Sequence, residues 1–346
     1  MKRYGHGLVL GRFRPPHAGH HHLVRTARDR CERLTVLVCG SAPDPLALDD
    51  RVAWLREVHR DVRIVAAADL TDPSAVPTTV LRAAVPERID AVFSSEPYGD
   101  ELARRLGAEA VCVDPGRSVF PVSGSAVRKD PVGWWDFLEP PVRAALTRRV
   151  VVLGAESTGA TTLALALAEH YRRRGGVWAR TRCVPDYTDE YRGRRPVGAL
   201  RSEEYPLIAG GQAEREEQAA RTGSPVLFCD ADAFALTIRH ERHLGGASEE
   251  TARVAARGRG HLWLLTDHRG VRIPDRGEET SPSADGPPAD RAALRAWTTA
   301  RLLTQLAHTG RRAAVLTGPH EERLATAVAA VDALLAGGWH LNAEIP

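Results

Sequence analysis

The sequence predicts an α/β protein of two consecutive domains, each a parallel sheet covered by helices on both faces. Two observations predict it. Short, continuously apolar runs alternate with helical patterns, and strands of that composition are the ones buried on both sides. After the prolines at 140 and 141 the theme of strand, Gly-containing turn and helix starts again, in "VVVLGAESTGATTLALALAEHY". The 346 residues suffice for two cores of ordinary size. Pro140 and Pro141, then the basic pair Arg148 and Arg149, put the boundary near residue 148, giving domains 1–147 and 148–346.

Taken in order, the first domain supplies strands at "HGLVLG", "LTVLVCG", "RIVAAAD", "DAVFSS" and "EAVCVD". A helix from about Ala18 to Cys31 follows the first of them, and "DDRVAWLREVH" supplies another. The second domain has strands at "RVVVL", "PVLFCDAD", "HLWLLTD" and "AAVLTG". Residues Gly270 to Asp290, rich in Pro, Gly, Ser and acid, bury too little apolar surface to pack and read as a mobile loop or lid. No internal repeat is visible.

Composition narrows the function. A net charge of +3, from 47 basic and 44 acidic residues, gives no concentrated basic face for nucleic acid, so no DNA partner is expected. Cys31, Cys39, Cys112, Cys183 and Cys229 are widely spaced and form no CxxC pair, the pattern of reduced thiols. No segment is long and apolar enough for a signal peptide or membrane span, so a cytoplasmic protein without a membrane partner is expected. Lys2 and Lys129 are the only lysines.

Two stretches carry chemistry. In "GRFRPPHAGHHHL", His17 and His20 share one face at the start of the helix after the first strand, where free backbone N–H groups already favour an anion. Gly19 permits close backbone approach, and Gly11 ends the strand without a side chain in the way. The helix dipole lowers a histidine pKa there and a bound polyphosphate raises it. A zinc site would need a third ligand and a defined second shell. His240 and His243, in "RHERH", read as ordinary helix residues because the pattern is not HExxH.

The second stretch is "GAESTGATT". Gly154 and Gly159 have the spacing of a phosphate-binding P-loop between a strand and a helix, with Glu156, Ser157 and Thr158 inside it and Thr161 and Thr162 after it. Thr161 stands where a hydroxyl would hold Mg²⁺, but Ala160 takes the place of the lysine. Losing one such donor costs about 3 kcal/mol, roughly a hundredfold in rate. An arginine from elsewhere would recover it, and Arg291 and Arg295, just past the loop from Gly270, are the candidates. Asp230 ends an apolar strand as a Mg²⁺-binding acid would.

"HAGH" resembles the HxGH signature of the nucleotidyltransferase superfamily, and "VSGSAVRKD" its second signature. With "FSSEPYGDELARRLGAEAVCVDPGR", "EEYPLIAGGQAEREE", "LFCDADAFALTIRHERHLG", "LWLLTDHRGV" and "LTGPHEERL", almost the whole chain resembles the NadR-type bifunctional nicotinamide-nucleotide adenylyltransferases joined to a ribosylnicotinamide kinase. The resemblance implies a Rossmann-like nucleotidyltransferase domain followed by a P-loop NTPase/kinase domain. It implies that nicotinamide mononucleotide, through its 5′-phosphate, attacks the α-phosphorus of ATP, with Mg²⁺ as cofactor.

Carried residue by residue, it places His17, His20 and Arg128 in catalysis, and Gly11, Arg12, Phe13, Gly19, Ser123 and Ser125 at the first ATP. Arg51, Trp54, Glu96 and Tyr98 fall on the mononucleotide side, Trp54 being equally readable as a core residue. In the second domain it places Asp186 in catalysis, Glu190 and Asp232 beside nicotinamide riboside, and Thr161 and Asp230 on the metal. Some members carry an N-terminal helix-turn-helix and act as repressors; this chain starts at the first strand, so that activity is expected to be absent.

Three readings of the second domain stay open: a rearranged kinase that still binds ATP, a silent nucleotide sensor, or a kinase for another acceptor. For the first domain, the phosphate-handling motifs do not read the acceptor, so an adenylyl- or cytidylyltransferase for another phosphorylated metabolite also remains. A regulatory protein that binds nucleotides without turnover is the reading from outside enzymology. The oligomeric state, homo-oligomer included, is left open by the sequence.

Overall fold

A computed structural model describes residues 4–40, 44–68, 74, 76–196, 198–269 and 288–341. One compact unit takes in the chain to Ala145 and again from Trp339; the other is Leu146–Gly338.

In the first unit, β1 (Tyr4–Gly11), β2 (Cys31–Cys39), β3 (Arg63–Ala67), β4 (Ala91–Ser94) and β5 (Glu109–Cys112) form a parallel sheet in the order β3-β2-β1-β4-β5. Alternation along the inner strands feeds two cores, as the two-residue side-chain period requires. Val9, Val36, Val38 and Phe93 face one side and meet Leu23, Val24, Ala27 and Leu55 from helices Ala18–Arg30 and Leu48–Val58. Leu8, Leu10, Leu37 and Val92 face the other and meet Leu81, Leu102 and Ala103. The helix after β1 stops at Arg30, and Cys31 opens the next strand. Because strand order reverses beside β1, a crevice opens at the carboxyl ends of β1 and β4.

In the second unit, β6 (Arg148–Gly154), β7 (Arg182–Val184), β8 (Val226–Asp230), β9 (Gly260–Thr266) and β10 (Ala313–Leu316) form a second parallel sheet, ordered β10-β9-β6-β8-β7. Val150, Val152, Phe228 and Leu264 pack on Leu163, Leu167 and Tyr171 of helix Ala160–Arg172. Here too the order reverses beside the strand that carries the Gly-rich loop. The short edge strand β7 has no apolar run long enough to announce it. Of the stretch read as a lid, residues 270–287 lie outside the described residues, and its end belongs to helix Pro288–His308.

Candidate functional site

The first site is built where the chain leaves β1. Phe13 sits in left-handed backbone (φ 49°) with its ring buried, and the next residues deliver His17 to the N-cap of helix Ala18–Arg30. His17 and His20 stack with ring centroids 3.7 Å apart, and His20 lies 4.9 Å from the Phe13 ring. Gly11 closes β1 and Gly19 lies between the two histidines. Nδ1 of both histidines is buried without a hydrogen-bond partner among the described residues. Buried polar atoms left in this way call for a partner, whether an ordered water, an ion or a ligand. Burial pushes the His17 pKa far down, with His20 adding to it, and burial with Arg117 pushes His20 down to about 3.

The second motif folds onto this loop. Ser123 caps helix Gly124–Lys129, its hydroxyl accepting from Ala126 N at 3.1 Å and lying 3.0 Å from the Ser125 hydroxyl. Arg128 then donates through Nη1 to the carbonyl of Arg14 at 2.7 Å. The two backbones run so close that a Cβ on Gly124 would stand 2.9 Å from that same carbonyl. Burial, then the neighbouring Arg14 and Arg12, lower the Arg128 pKa. Asp44 pairs with Arg14 and with Arg51 at 3.4 Å each, while Arg12 Nε is buried without a partner among the described residues. Arg12, Arg14, Arg51 and Arg128 thus crowd round the Asp44 carboxylate, an excess of positive charge suited to polyphosphate.

Arg51 is turned into the protein interior. It is fully buried and donates to the main-chain carbonyls of Arg12, Cys39 and Leu46, so it braces the loop instead of lining the mononucleotide side. Trp54 is buried to 9% exposure. Tyr98 donates its hydroxyl to Leu10 O at 2.7 Å, pinning its helix to the end of β1. Glu96 is exposed and pairs with Arg117 at 3.5 Å, on the rim of a cavity of about 260 Å³ at the ends of β4 and β5.

The second site is the loop after β6. Ser157 (φ 62°) and Gly159 (φ 86°) turn it through left-handed backbone, and Gly159 caps helix Ala160–Arg172. Thr158 is buried, 2.7 Å from both Ala155 O and the Thr266 hydroxyl at the end of β9. These hydroxyls fill the space at Gly154, where a Cβ would stand 2.1 Å from Thr266 Oγ1. Arg323, 4% exposed, donates to the carbonyls of Thr158, Asp267 and Gly318, a brace that the sequence does not announce.

Thr161 and Thr162 are exposed at the helix start, and Thr161 hydrogen-bonds the carboxyl of buried Asp230 at the end of β8. Burial pushes Asp230 up and the Thr161 bond opposes it. A buried acid beside a hydroxyl at a phosphate loop fits a divalent cation, whose charge would relieve the acid's desolvation. Asp186 caps helix Tyr187–Gly193, accepting from Thr188 N at 2.9 Å, and pairs with Arg239. Burial pushes the Asp186 carboxyl up, and Arg239 with Thr188 more than offsets this, so the group stays ionised. The Arg239 charge also opposes the upward shift of Asp230, so Asp186, Asp230, Arg239 and Thr161 gather at one end of the sheet.

Two predicted riboside residues are otherwise engaged. Asp232 caps helix Ala233–Leu244 through Ala235 N and accepts from Trp263 Nε1, both at 3.0 Å, so its buried carboxylate is spent on structure. Glu190 pairs with Arg215 at 2.6 Å and with Arg194. Arg291 is exposed and Arg295 half-buried on helix Pro288–His308. A guanidinium at the rim of the loop is that of Arg242, 2.9 Å from Glu156. Sequence reading missed it because an arginine inside "RHERH" has no signature of its own. His240 and His243 are helix residues as expected, bonded to Ser202 and Tyr205 at 2.7 Å.

Among the described residues no helix is long and apolar enough to cross a membrane. Residues 8–129 match the cytidylyltransferase-like family and residues 149–323 the AAA domain family. The trifunctional NAD biosynthesis/regulator protein NadR of Escherichia coli strain K12 is 26% identical over 250 residues, covering 65% of this chain and 60% of that protein. The match thus spans about 60% of that relative's length. A crystal structure of NadR protein in complex with NR has a TM-score of 0.67 at 19% identity, covering 96% of each chain. Another, in complex with NAD and AMP-PNP, has a TM-score of 0.67 at 18% identity, covering 100% of this chain and 98% of that one. Those likenesses carry the fold, two α/β units with parallel five-stranded sheets. The chain belongs to the AAA domain family over its second half and, with a cytidylyltransferase-like domain before it, is a protein of the NadR type.

Proposed function

We propose that the first domain transfers the adenylyl group of ATP to nicotinamide mononucleotide, forming NAD, and that the second phosphorylates nicotinamide riboside to supply that mononucleotide. The observation that carries the first half is the meeting of the stacked His17 and His20 with Arg128, two motifs about a hundred residues apart joined through Arg14. An oxygen of the mononucleotide's 5′-phosphate bonds to the α-phosphorus, the bond to the β-phosphate oxygen breaks, and pyrophosphate leaves. No general base is needed, because the attacking phosphate is already ionised at neutral pH. His17, His20, Arg12 and Arg128 hold the triphosphate and neutralise the charge that builds on the leaving pyrophosphate. Mg²⁺, when bound, shares that neutralisation.

In the second domain the loop amides from Gly154 to Gly159 cradle the phosphates of ATP, and Thr161 and Asp230 are the groups that would hold Mg²⁺. The riboside 5′-hydroxyl oxygen bonds to the γ-phosphorus, the bond to the β-phosphate oxygen breaks, and ADP leaves. The hydroxyl's proton passes to the Asp186 carboxylate, which Arg239 keeps ionised and therefore able to accept it. The Ala160 position favours a second reading for this domain alone, ATP binding without turnover.

The test is a product assay with ATP, Mg²⁺ and each nicotinamide precursor. NAD is expected from the mononucleotide, and mononucleotide from the riboside. The double variant His17→Ala, His20→Ala is expected to lose NAD formation at least a hundredfold while riboside phosphorylation persists. NAD formation at the wild-type rate in that variant would overturn the assignment of the first site.

A further inference from the structure

The phosphate loop of the second domain carries no cation of its own, yet one stands at its rim. Arg242, on the helix Ala233–Leu244 that leaves β8, puts Nη2 2.9 Å from Oε1 of Glu156, the third residue of the loop. Its side chain is 10% exposed, whereas that of Glu156 is 58% exposed. In a free protein this is a poor arrangement, since an exposed carboxylate gains little from an ion pair and an acid on an anion cradle repels the anion. It becomes a sensible one if the guanidinium has a second, stronger partner. Arg239, one helical turn earlier and on the same face, is directed instead to Asp186 and to the Thr188 hydroxyl, 3.1 Å away. The two arginines thus divide the site, one on the acids and one on the loop. Ala160, where a lysine is expected, packs against the apolar cluster of Val150, Leu163 and Leu167.

We propose that Arg242 supplies the positive charge missing at position 160, its guanidinium leaving Glu156 for the β- and γ-phosphate oxygens when ATP enters. Glu156 is then a place-holder that keeps the guanidinium aimed at the loop until the nucleotide arrives. A planar fork suits two phosphate oxygens, and a triphosphate carries more charge than the single carboxylate it displaces. The inference rests on the proposed reading that the second domain binds ATP at this loop.

The full chain is assayed for riboside phosphorylation and for photolabelling by 8-azido-ATP with Mg²⁺, the label mapped by peptide to residues 149–323. Arg242→Ala is expected to lower both by roughly 30- to 100-fold, with a thermal melt to confirm folding. Ala160→Lys is expected to restore much of the loss in the Arg242→Ala background and to add little to the wild type, because the two cations would serve one anion. Glu156→Gln, which frees the guanidinium without removing it, is expected to keep or raise labelling; abolished labelling there would overturn the place-holder role. Labelling and turnover both intact in Arg242→Ala would sink the inference and leave the kinase reading standing. Labelling lost in Arg242→Ala, in a protein that never phosphorylates the riboside, would uphold Arg242 and overturn the kinase reading. A wild type that takes no label in the second domain would overturn both. If Arg242→Ala does not fold, Arg242→Lys and Glu156→Gln decide the matter on the same readouts.

Discussion

The stacked rings of His17 and His20, 3.7 Å apart between centroids, cannot both carry a proton in the free protein. Burial pushes both pKa values down, that of His20 to about 3. In the unfolded chain they return to the ordinary value near 6.5. Their contribution to stability is therefore whole above about pH 6.5 and is lost as the pH falls toward 3. A bound triphosphate reverses the balance, because the charged imidazole then has an anion beside it. ATP binding near pH 6.5 is thus expected to take up about one proton, read as a calorimetric heat that depends on the buffer's ionisation enthalpy. Uptake should shrink toward pH 8 and vanish in His17→Ala, His20→Ala. Heats that match in every buffer would mean that the rings bind phosphate while neutral.

Arg51 gives a prediction of a different kind, since it braces the loop from behind. Replacing it by Met leaves three main-chain carbonyls without their donor and Asp44, 4% exposed, with half its pairing. Stranding buried partners in this way costs about 3 to 5 kcal/mol. Urea unfolding of Arg51→Met is expected to show a loss of that size, along with a raised KM for ATP in NAD formation. A stable variant impaired only toward the mononucleotide would restore Arg51 to the substrate side.

The central strands of both sheets were legible because both of their faces are buried: Leu8, Val9 and Leu10 alternate between two cores, which demands the continuous apolar run seen in the sequence. The histidine pair and the Ser123 cap stood out for another reason, since residue types at fixed spacing at a helix start form a pattern that a sequence displays. β7 was not, because an edge strand of three residues has no pattern to show. Asp232 looked like a ligand and is a helix cap, and a single carboxylate cannot reveal which of the two it is until Trp263 and Ala235 are placed against it. Arg242 and Arg323 went unseen because their partners are a distant carboxylate and main-chain oxygens mostly far along the chain, and nothing local in the chain records such contacts.

Gly154 offers a way to disable the second site from its floor. Thr158 and Thr266 meet beneath the loop at 2.7 Å, and a Cβ at 154 would stand 2.1 Å from one hydroxyl and 2.3 Å from the other. Neither hydroxyl is at the end of a flexible chain, so the loop itself must shift. Gly154→Ala is expected to cut riboside phosphorylation at least tenfold, since misplaced cradle amides lose the phosphate. Pairing it with Thr266→Ala, which clears the nearer contact, is expected to recover part of the activity. An additive loss in the double variant would show that the hydroxyls, and not the space they occupy, are what the loop requires.

Glu216 is a buried acid whose ionisation burdens the second domain. It is 9% exposed, takes a bond from Gln212 Nε2 at 3.1 Å, and has its pKa pushed up to about 8 by burial and then by Asp232. The folded state therefore keeps a proton that the unfolded chain releases above about pH 4.5. That sign means stability is whole below pH 4.5 and falls as the pH rises to about 8, by roughly 3 kcal/mol at pH 7. Glu216→Gln keeps an acceptor for Gln212 and carries no ionisable proton, so it removes the penalty. Urea unfolding is expected to find the variant equal to wild type near pH 5 and increasingly more stable through pH 7 and 8.5. Parallel stability curves across that range would show instead that Glu216 ionises as an ordinary carboxylate, with water or Arg149 near enough to solvate its charge.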